Sequence, residues 1–212
     1  MRVLAVDAAN PQPHIIDQAA AALLSGAAVV FPTDTVYGVG LAALPTASPQ
    51  TLYDIKQRDT NKAIPWLVSS AQALDLYATD VPQYARRLAA QFWPGALTLI
   101  VKASSAVPQA FLAQNHTIAL RAPDSPVALA LIVRMGVPLA TSSANRQGQE
   151  PAVGFTDIDP ILAARVGLGL NGGICAIKSA STIVSCVGDT PRILRPGALA
   201  PQIEAVLKKG TP

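Results

Sequence analysis

The sequence predicts an α/β or α+β protein with a central twisted sheet. Short apolar runs, typical of buried strands, alternate along the chain with segments in which apolar residues recur at helical spacing. Two of the helical segments end at a glycine, a common residue after the last turn of a helix. The length of 212 residues, 50% of them hydrophobic and 14% charged, fits one large folded domain over residues 1–212.

The first half of the chain starts with a short edge strand and continues with alternating helices and strands. A continuous apolar run over 27–31 is predicted as a buried strand that stops at Pro32. A turn rich in Thr, Asp and Gly follows it. The predicted elements are a strand over 2–6, a helix over 15–25 that ends at Gly26, a strand over 27–31, a helix over 50–56, a strand over 65–69, a helix over 82–91 and a strand over 96–102.

The second half follows the same alternation, with a looser pattern in its last third. We predict a strand over 117–121, a helix over 127–135 that ends at Gly136, a strand over 137–141 that leads into a loop over 141–151, a helix near 157–164, strands near 182–187 and 192–194, and a final helix over 201–208. The order of the strands in the sheet does not follow from the pattern.

Composition indicates a cytoplasmic protein. The longest apolar runs, 27–31 and 128–133, are far shorter than the ~18–20 residues of a membrane span, and the N-terminus lacks the apolar stretch of a signal peptide. Cys175 and Cys186 form no paired motif and are predicted to be buried thiols in a reducing compartment. The net charge of +3 suits anionic ligands such as nucleotides, and permits contact with RNA without requiring it.

Several familiar catalytic motifs are absent. The sequence has no G-x-x-x-x-G-K-[ST] loop and no G-x-G-x-x-G, so neither of the two well-known glycine loops holds a phosphate. His14 and His116 are isolated, which argues against a zinc site or a Ser-His-Asp triad, and we predict no metal site built from protein side chains.

Polar residues gather instead where predicted strands end. Thr33 and Thr35, in the turn over 32–40, have hydroxyls that can donate to a carboxylate, although a simple polar turn explains them equally well. Lys56, Arg58 and Lys62 follow a helical segment and suit a polyphosphate; the alternative is a solvated helix end.

The segment Thr141-Ser142-Ser143-Ala144-Asn145 follows another predicted buried strand. Its hydroxyls and amide suit the cap of a helix, and they suit a phosphate or a nucleotide sugar equally well. Arg121 and Arg195 add two cations at strand ends. Together these groups predict a cationic, hydroxyl-lined cavity for a small anionic substrate and a nucleotide.

The chain resembles the YrdC-like family, whose members make threonylcarbamoyl-AMP from threonine, bicarbonate and ATP for the N6-threonylcarbamoyladenosine modification of tRNA. The stretches that carry the resemblance are FPTDTVYGVG (31–40), IKQR (55–58), FWPGALTLIVK (92–102), ALRAP (119–123), SSAN (142–145), STIV (181–184) and RILRPG (192–197). They span about 30–200 in similar order and spacing. The resemblance implies a twisted, open, mixed sheet flanked by helices around a positively charged cavity.

The resemblance also implies a role for each matching residue. Lys56 and Arg58 would be catalytic phosphate ligands. The full ATP set would be Lys56, Arg58, Lys62, Ser143, Asn145 and Arg195, and the threonine set Thr33, Thr35, Arg121, Thr141 and Ser181. Mg²⁺ is expected on the phosphates, which would supply most of its ligands.

This chain departs from the family pattern in three places and resembles its short, single-domain form. Asp59 replaces a frequent proline, Lys62 a frequent asparagine, and Ala180 a frequent glutamate. The resemblance implies threonine, bicarbonate and ATP as substrates. It also implies weak contact with tRNA and transfer of the product to a threonylcarbamoyl-transferase complex. No contact with a membrane is expected.

Other functions remain open at this point. One is a double-stranded RNA-binding or ribosome-maturation module that uses the same basic cavity without adenylate synthesis. A second is a carbamoyl-transfer enzyme of the hydrogenase-maturation type, which would be a much longer chain with zinc-finger cysteines. A third is a paralogue that has kept the fold and lost the activity.

Overall fold

The computed structural model describes residues 1–57, 64–113 and 115–209. Its strands are β1 (Arg2–Ala5), β2 (Val29–Phe31), β3 (Gly38–Ala42), β4 (Trp66–Leu67), β5 (Leu97–Lys102), β6 (Thr117–Arg121), β7 (Leu139–Ser143), β8 (Leu168–Asn171), β9 (Thr182–Ser185) and β10 (Arg192–Arg195). Its helices are α1 (Pro13–Leu24), α2 (Gln50–Lys56), α3 (Ala73–Tyr77), α4 (Gln83–Phe92), α5 (Pro126–Met135), α6 (Pro160–Ala163) and α7 (Ala200–Lys209).

The strands form one open mixed sheet in the order β1-β8-β2-β3-β7-β4-β6-β5-β9-β10. Strands pair in parallel at β1/β8, β8/β2, β4/β6 and β5/β9, and antiparallel at the remaining junctions. The predicted α/β fold with a twisted mixed sheet and flanking helices is therefore confirmed. The predicted edge position of the first strand is confirmed as well.

Apolar side chains cover both faces of the central strands. In β2, Val29 and Phe31 pack in one apolar cluster and Val30 in another, because successive strand residues point to opposite faces. The first cluster joins α1 and α5 to the sheet. The second contains Leu88 of α4 and Leu52 of α2. A sheet buried on both faces explains why its strands appear in the sequence as continuous apolar runs.

Most predicted elements are present, with small shifts at their ends. β6 and α2 have the predicted bounds, and α5 ends at Gly136, whose φ of 70° is the left-handed conformation that glycine adopts readily. Cys175 and Cys186 are both buried, as predicted. None of the helices within the described residues has the length and apolarity needed to cross a membrane.

Four predictions about local structure were wrong or incomplete. The glycine-rich end of the turn over 32–40 belongs to strand β3, which pairs with β2 and β7. The predicted loop at 141–151 starts later, because β7 continues to Ser143. β8 and α3 were not predicted. The helix expected near 157–164 is a 3₁₀ turn over Phe155–Asp157 followed by the four-residue α6.

Candidate active site

A cavity of about 350 Å³ lies over the face of the sheet that also carries α1 and α5. Thr141 is two residues along β7 from Leu139, a member of the α1/α5 cluster, so the alternation of the strand places both on this face. The volume falls in the ~300–1,000 Å³ range of small-molecule sites. Nine predicted site residues line it: Thr33, Thr35, Lys56, Arg121, Thr141, Ser143, Asn145, Ser181 and Arg195. The other two, Arg58 and Lys62, lie outside the described residues.

The site residues are not confined to the strand ends at which the sequence suggested that polar residues gather. Arg121, Ser143 and Arg195 do close their strands. Thr141, in contrast, lies inside β7, and Ser181 precedes β9. The site thus extends across the sheet, from β3 through β7, β4, β6 and β5 to β9, in addition to the strand ends.

The hydroxyl of Thr33 folds back onto its own turn. It donates to the Val36 carbonyl at 2.6 Å, and it lies 2.9 Å from the Thr35 hydroxyl. Because its single proton goes to Val36, Thr35 must be the donor between the two threonines. Arg121 Nη1 donates to Thr35 Oγ1 at 2.9 Å, which leaves Thr35 one lone pair and no proton for a ligand. The idea that these threonines donate to a carboxylate is therefore wrong for this conformation.

Arg121 is a buried cation that is already paired. Nη2 donates to Asp34 Oδ1 in a close ion pair, Nε donates to the Gly95 carbonyl at 2.9 Å, and Nη1 donates to Thr35. Burial lowers the pKa of Arg121, and the neighbouring Asp34 carboxylate opposes that shift. These contacts use three of the five guanidinium protons. Arg121 thus lines the cavity with N–H donors, while the Asp34 carboxylate largely balances the positive charge of its guanidinium.

Lys56 holds the loop that follows β7. Its ammonium donates to the carbonyls of Ser143 and Asn145 through close contacts, and lies 3.4 Å from Asn145 Oδ1. The Asn145 amide donates in turn to the carbonyls of Arg146 and Gln149, at 3.1 and 2.6 Å. Lys56 is 2% exposed, so these bonds are largely shielded from water. The lysine and the asparagine together shape the loop from inside.

Ser181 is fixed at the opposite side of the cavity. Its backbone lies beside β5, where the Thr182 N–H donates to the Ala96 carbonyl at 2.9 Å. Arg195 Nη2 donates to the Ser181 carbonyl at 2.7 Å and to its hydroxyl at 3.1 Å. Thr98 Oγ1 lies 2.8 Å from Ser181 Oγ. Both hydroxyls are buried in the wall of the cavity.

Gly38 keeps the cavity open next to β7. A Cβ atom at this position would stand 2.9 Å from Thr141 Cγ2 and 3.3 Å from the Phe31 ring. Neither distance is tolerated without a shift of the neighbour. Gly38, the first glycine of the FPTDTVYGVG stretch, is therefore needed for close packing within a strand and does not form a turn.

Tyr37 forms part of the wall and is not suited to proton transfer. Its hydroxyl donates to the Gly173 carbonyl at 2.8 Å and accepts from the Gly172 N–H at 3.1 Å. Burial, the main cause, raises the pKa of Tyr37 to about 12. The phenol therefore stays neutral at physiological pH and joins β3 to the segment after β8.

Two residues important to the site were missed in the sequence. Asp34 lies between the two predicted threonines, but its carboxylate turns to Arg121 instead of the cavity. Thr98 stands among Leu97 and Leu99 in a buried strand, where threonine is also a common strand former. The one available signal was a hydroxyl within an otherwise apolar run.

Among the described residues, the lining carries three cations, Lys56, Arg121 and Arg195, and no aspartate or glutamate. Within the described part of the chain, no group of three or more His, Cys, Asp and Glu side chains is placed to hold a metal ion. The surroundings of the cavity therefore favour an anionic ligand over a directly bound cation.

Solved structures of similar shape define the class as a YrdC-like α/β fold. Pyrococcus abyssi Sua5, in a crystal structure with L-threonine, superposes with a TM-score of 0.91 at 30% identity over 97% of this chain and 61% of its own. Escherichia coli YciO superposes with a TM-score of 0.84 at 27% identity, over 92% of this chain and 95% of its own.

Sequence comparison identifies the family within this class. The Sua5/YciO/YrdC family model, described as "Telomere recombination", matches residues 21–197. The threonylcarbamoyl-AMP synthase of Bacillus subtilis is 38% identical over 91% of this chain, and the uncharacterized E. coli protein YciO is 30% identical over 89%. The chain belongs to the Sua5/YciO/YrdC family.

The relatives differ in length. This chain spans 56% of the B. subtilis synthase, 90% of a Mycobacterium tuberculosis relative that is 36% identical to it, and 91% of YciO.

Proposed function

We propose that this protein makes threonylcarbamoyl-AMP from L-threonine, bicarbonate and ATP. The observation that carries the proposal is the convergence of cationic and hydroxyl side chains from separate parts of the chain on one cavity. Support comes from the family, which includes the B. subtilis threonylcarbamoyl-AMP synthase, and from the P. abyssi relative crystallised with L-threonine.

The proposed reaction needs no covalent bond to the enzyme. The threonine nitrogen bonds to the bicarbonate carbon, water leaves, and a carbamate forms. A carbamate oxygen then bonds to the α-phosphorus of ATP as the bond to pyrophosphate breaks. Such a reaction depends on alignment of the reactants and on neutralisation of phosphate charge, which cations and directed N–H groups supply.

We assign the amino acid to one part of the cavity and the nucleotide to the rest. The amino-acid region comprises Thr33, Thr35, Arg121, Thr141 and Ser181; the nucleotide region comprises Lys56, Arg58, Lys62, Ser143, Asn145 and Arg195. In this assignment Thr33 acts through its turn, since its hydroxyl proton is donated to Val36. Thr35 accepts a hydrogen bond from the substrate. Arg121 directs its two remaining N–H groups at the carboxylate.

Lys56 has a double role in this proposal. In the described conformation its ammonium donates to carbonyls at Ser143 and Asn145 and so shapes the loop. It reaches a phosphate by exchanging one of its present acceptors, of which Asn145 Oδ1 at 3.4 Å is the most distant, for a phosphate oxygen. Because a charged phosphate oxygen is a stronger acceptor than a neutral carbonyl, ATP would favour that exchange.

Magnesium would be held mainly by ATP. In the part of the chain that the structure describes, the lining offers hydroxyl, amide and carbonyl oxygens and no carboxylate, which fits an ion that keeps phosphate oxygens and water as its ligands. The ion would supply neutralisation of charge on the phosphates.

The test is direct detection of the product. The protein is incubated with labelled threonine, bicarbonate and ATP, and the adenylate is measured by mass spectrometry together with pyrophosphate. Omission of each substrate in turn is the control. Pyrophosphate release that does not depend on threonine, or no adenylate at all, contradicts the proposal.

The other functions have less support. The comparisons give none to double-stranded RNA binding. The likeness to the hydrogenase-maturation protein HypF, at 18% identity and 29% of that chain, concerns the fold alone. A paralogue without the activity would release no pyrophosphate in the same assay. Weak contact with tRNA, and transfer of the product to a threonylcarbamoyl-transferase complex, belong to the proposal as its downstream steps.

A further inference from the structure

Thr98 is a polar residue between two apolar sequence neighbours in strand β5. Leu97 and Leu99 are fully buried, and Thr98 itself is 3% exposed. A hydroxyl buried in this way costs free energy unless it is hydrogen-bonded. Its bonding partner is the Ser181 hydroxyl, at 2.8 Å, and both residues line the cavity.

The backbone around Ser181 is held from two sides, which keeps Ser181 next to Thr98. On one side β5 pairs in parallel with β9, with Leu97 opposite Thr182. On the other side the Ala198 N–H donates to the Ala180 carbonyl at 2.9 Å. The sheet therefore holds the backbones of Thr98 and Ser181 at the separation at which their hydroxyls can bond.

The protons of the pair can be assigned from Arg195. A guanidinium only donates, so Ser181 Oγ accepts from Arg195 Nη2 and keeps one lone pair and one proton. If Thr98 donates to that lone pair, the serine proton is available to a ligand. If Thr98 accepts instead, the serine proton is consumed.

The charge of the cavity selects between these two states. The described residues that line it include three cations and no carboxylate, so the ligand group that meets Ser181 is an acceptor such as a carboxylate or phosphate oxygen. An acceptor binds the state in which Thr98 donates to Ser181 and Ser181 donates to the ligand. We propose that Thr98 is a positioning residue that orients the Ser181 hydroxyl toward the amino-acid substrate; this inference rests on the proposed function.

The variants Thr98→Val and Thr98→Ser test the proposal. Valine keeps the β-branched shape and removes the hydroxyl, whereas serine keeps the hydroxyl. Loss of one hydrogen bond predicts that Thr98→Val raises the KM for L-threonine and its calorimetric Kd about five- to tenfold. The KM for ATP and the kcat should stay within about twofold, and Thr98→Ser should restore most of the affinity.

The matched control is Thr117→Val. Thr117 is also 3% exposed in a neighbouring strand, but its hydroxyl donates to Asn115 at 2.7 Å, away from the site. It should leave the threonine Kd unchanged. Thermal unfolding of all variants separates loss of folding from loss of binding.

A double-mutant cycle asks whether Thr98 acts through Ser181. In a Ser181→Ala background, replacement of Thr98 by valine or by alanine should have little further effect on the threonine Kd. An unchanged Kd in Thr98→Val, equal losses in the valine and serine variants, or additive losses in the cycle each overturn the inference while wild-type activity stands. If the wild-type protein neither binds threonine nor makes the adenylate, the proposed function fails and the inference fails with it.

Discussion

Replacing Asp34 by asparagine removes the charge that balances buried Arg121 and leaves the shape of the side chain unchanged. The two side chains are only 5% and 7% exposed, so little solvent is available to compensate the guanidinium. The asparagine oxygen still accepts from Arg121, but its amide nitrogen takes the place of Oδ2, a buried atom with no hydrogen-bond partner among the described residues. The variant therefore combines an unbalanced charge with a buried, unbonded donor.

The expected loss is about 3–5 kcal/mol in the free energy of unfolding, because breaking a buried ion pair costs that much when one charge stays behind. Proteins of this size lose about 2–4 °C in Tm for each kcal/mol, so Tm should fall by about 6–20 °C. Denaturant unfolding followed by circular dichroism at pH 7 measures the first quantity, and calorimetry the second.

The surface pair Arg86–Asp75 provides the matched control. Its atoms are 2.6 Å apart, but the side chains are 42% and 64% exposed. Asp75→Asn should cost less than about 1 kcal/mol, since water screens the charges and solvates the arginine left behind. If Asp34→Asn cost no more than this control, the Asp34–Arg121 pair would not be the buried electrostatic element that its geometry indicates.

Three further predictions concern phosphate binding, backbone packing and substrate choice. Lys56→Ala and Arg58→Ala should each lower adenylate formation at least about tenfold, or about 1.4 kcal/mol, and near-normal turnover by folded variants would refute their roles. Gly197→Ala should lower the free energy of unfolding by about 1–3 kcal/mol, because the alanine Cβ would lie 2.5 Å from the carbonyl carbon of Ser181. Gly188→Ala is the control and should be nearly neutral, because open space surrounds Gly188. Valine should be a far poorer substrate than threonine, with serine between them. Loss of the substrate hydroxyl leaves a buried polar group of the protein without a hydrogen bond, which costs about 1–3 kcal/mol. Equal pyrophosphate release with valine and threonine at subsaturating concentration would show that the hydroxyl is not recognised.

Helices and strands whose own residues show a clear apolar pattern could be predicted from the sequence. Those that form because of contacts with neighbouring strands or helices could not. The α2 helix ends at residue 56 and β6 spans Thr117–Arg121, as the apolar pattern predicted. Strand β3 was missed because the glycines that suggest a turn are there to avoid Thr141 and Phe31 on adjacent strands. Helix α3 has five residues and no side-chain cap, so its formation depends on packing that the local sequence does not encode.

The chemical types of the site were predictable, but their connections were not. The predicted polar and cationic residues indicated the cavity, and nine of them line it. Thr98 escaped notice because a threonine in a strand is ordinary in sequence and becomes informative only when Ser181 lies 2.8 Å away. The role of Asp34 likewise depends on Arg121, which is 87 residues further along the chain.

Hydrogen-bond direction is the part of the site that three-dimensional structure alone supplies. From sequence, the hydroxyls of Thr33 and Thr35 were equally able to donate or accept. Thr33 donates to the Val36 carbonyl, Thr35 donates to Thr33, and Arg121 occupies one Thr35 lone pair, so Thr35 can only accept a hydrogen bond from a ligand. The Ser181 hydroxyl can donate to a ligand or accept from it, depending on whether Thr98 donates to Ser181 or accepts from it. A substrate that places a hydroxyl or amine at Thr35 and a carboxylate oxygen at Ser181 satisfies both sides at once, and a β-hydroxy amino acid is such a molecule.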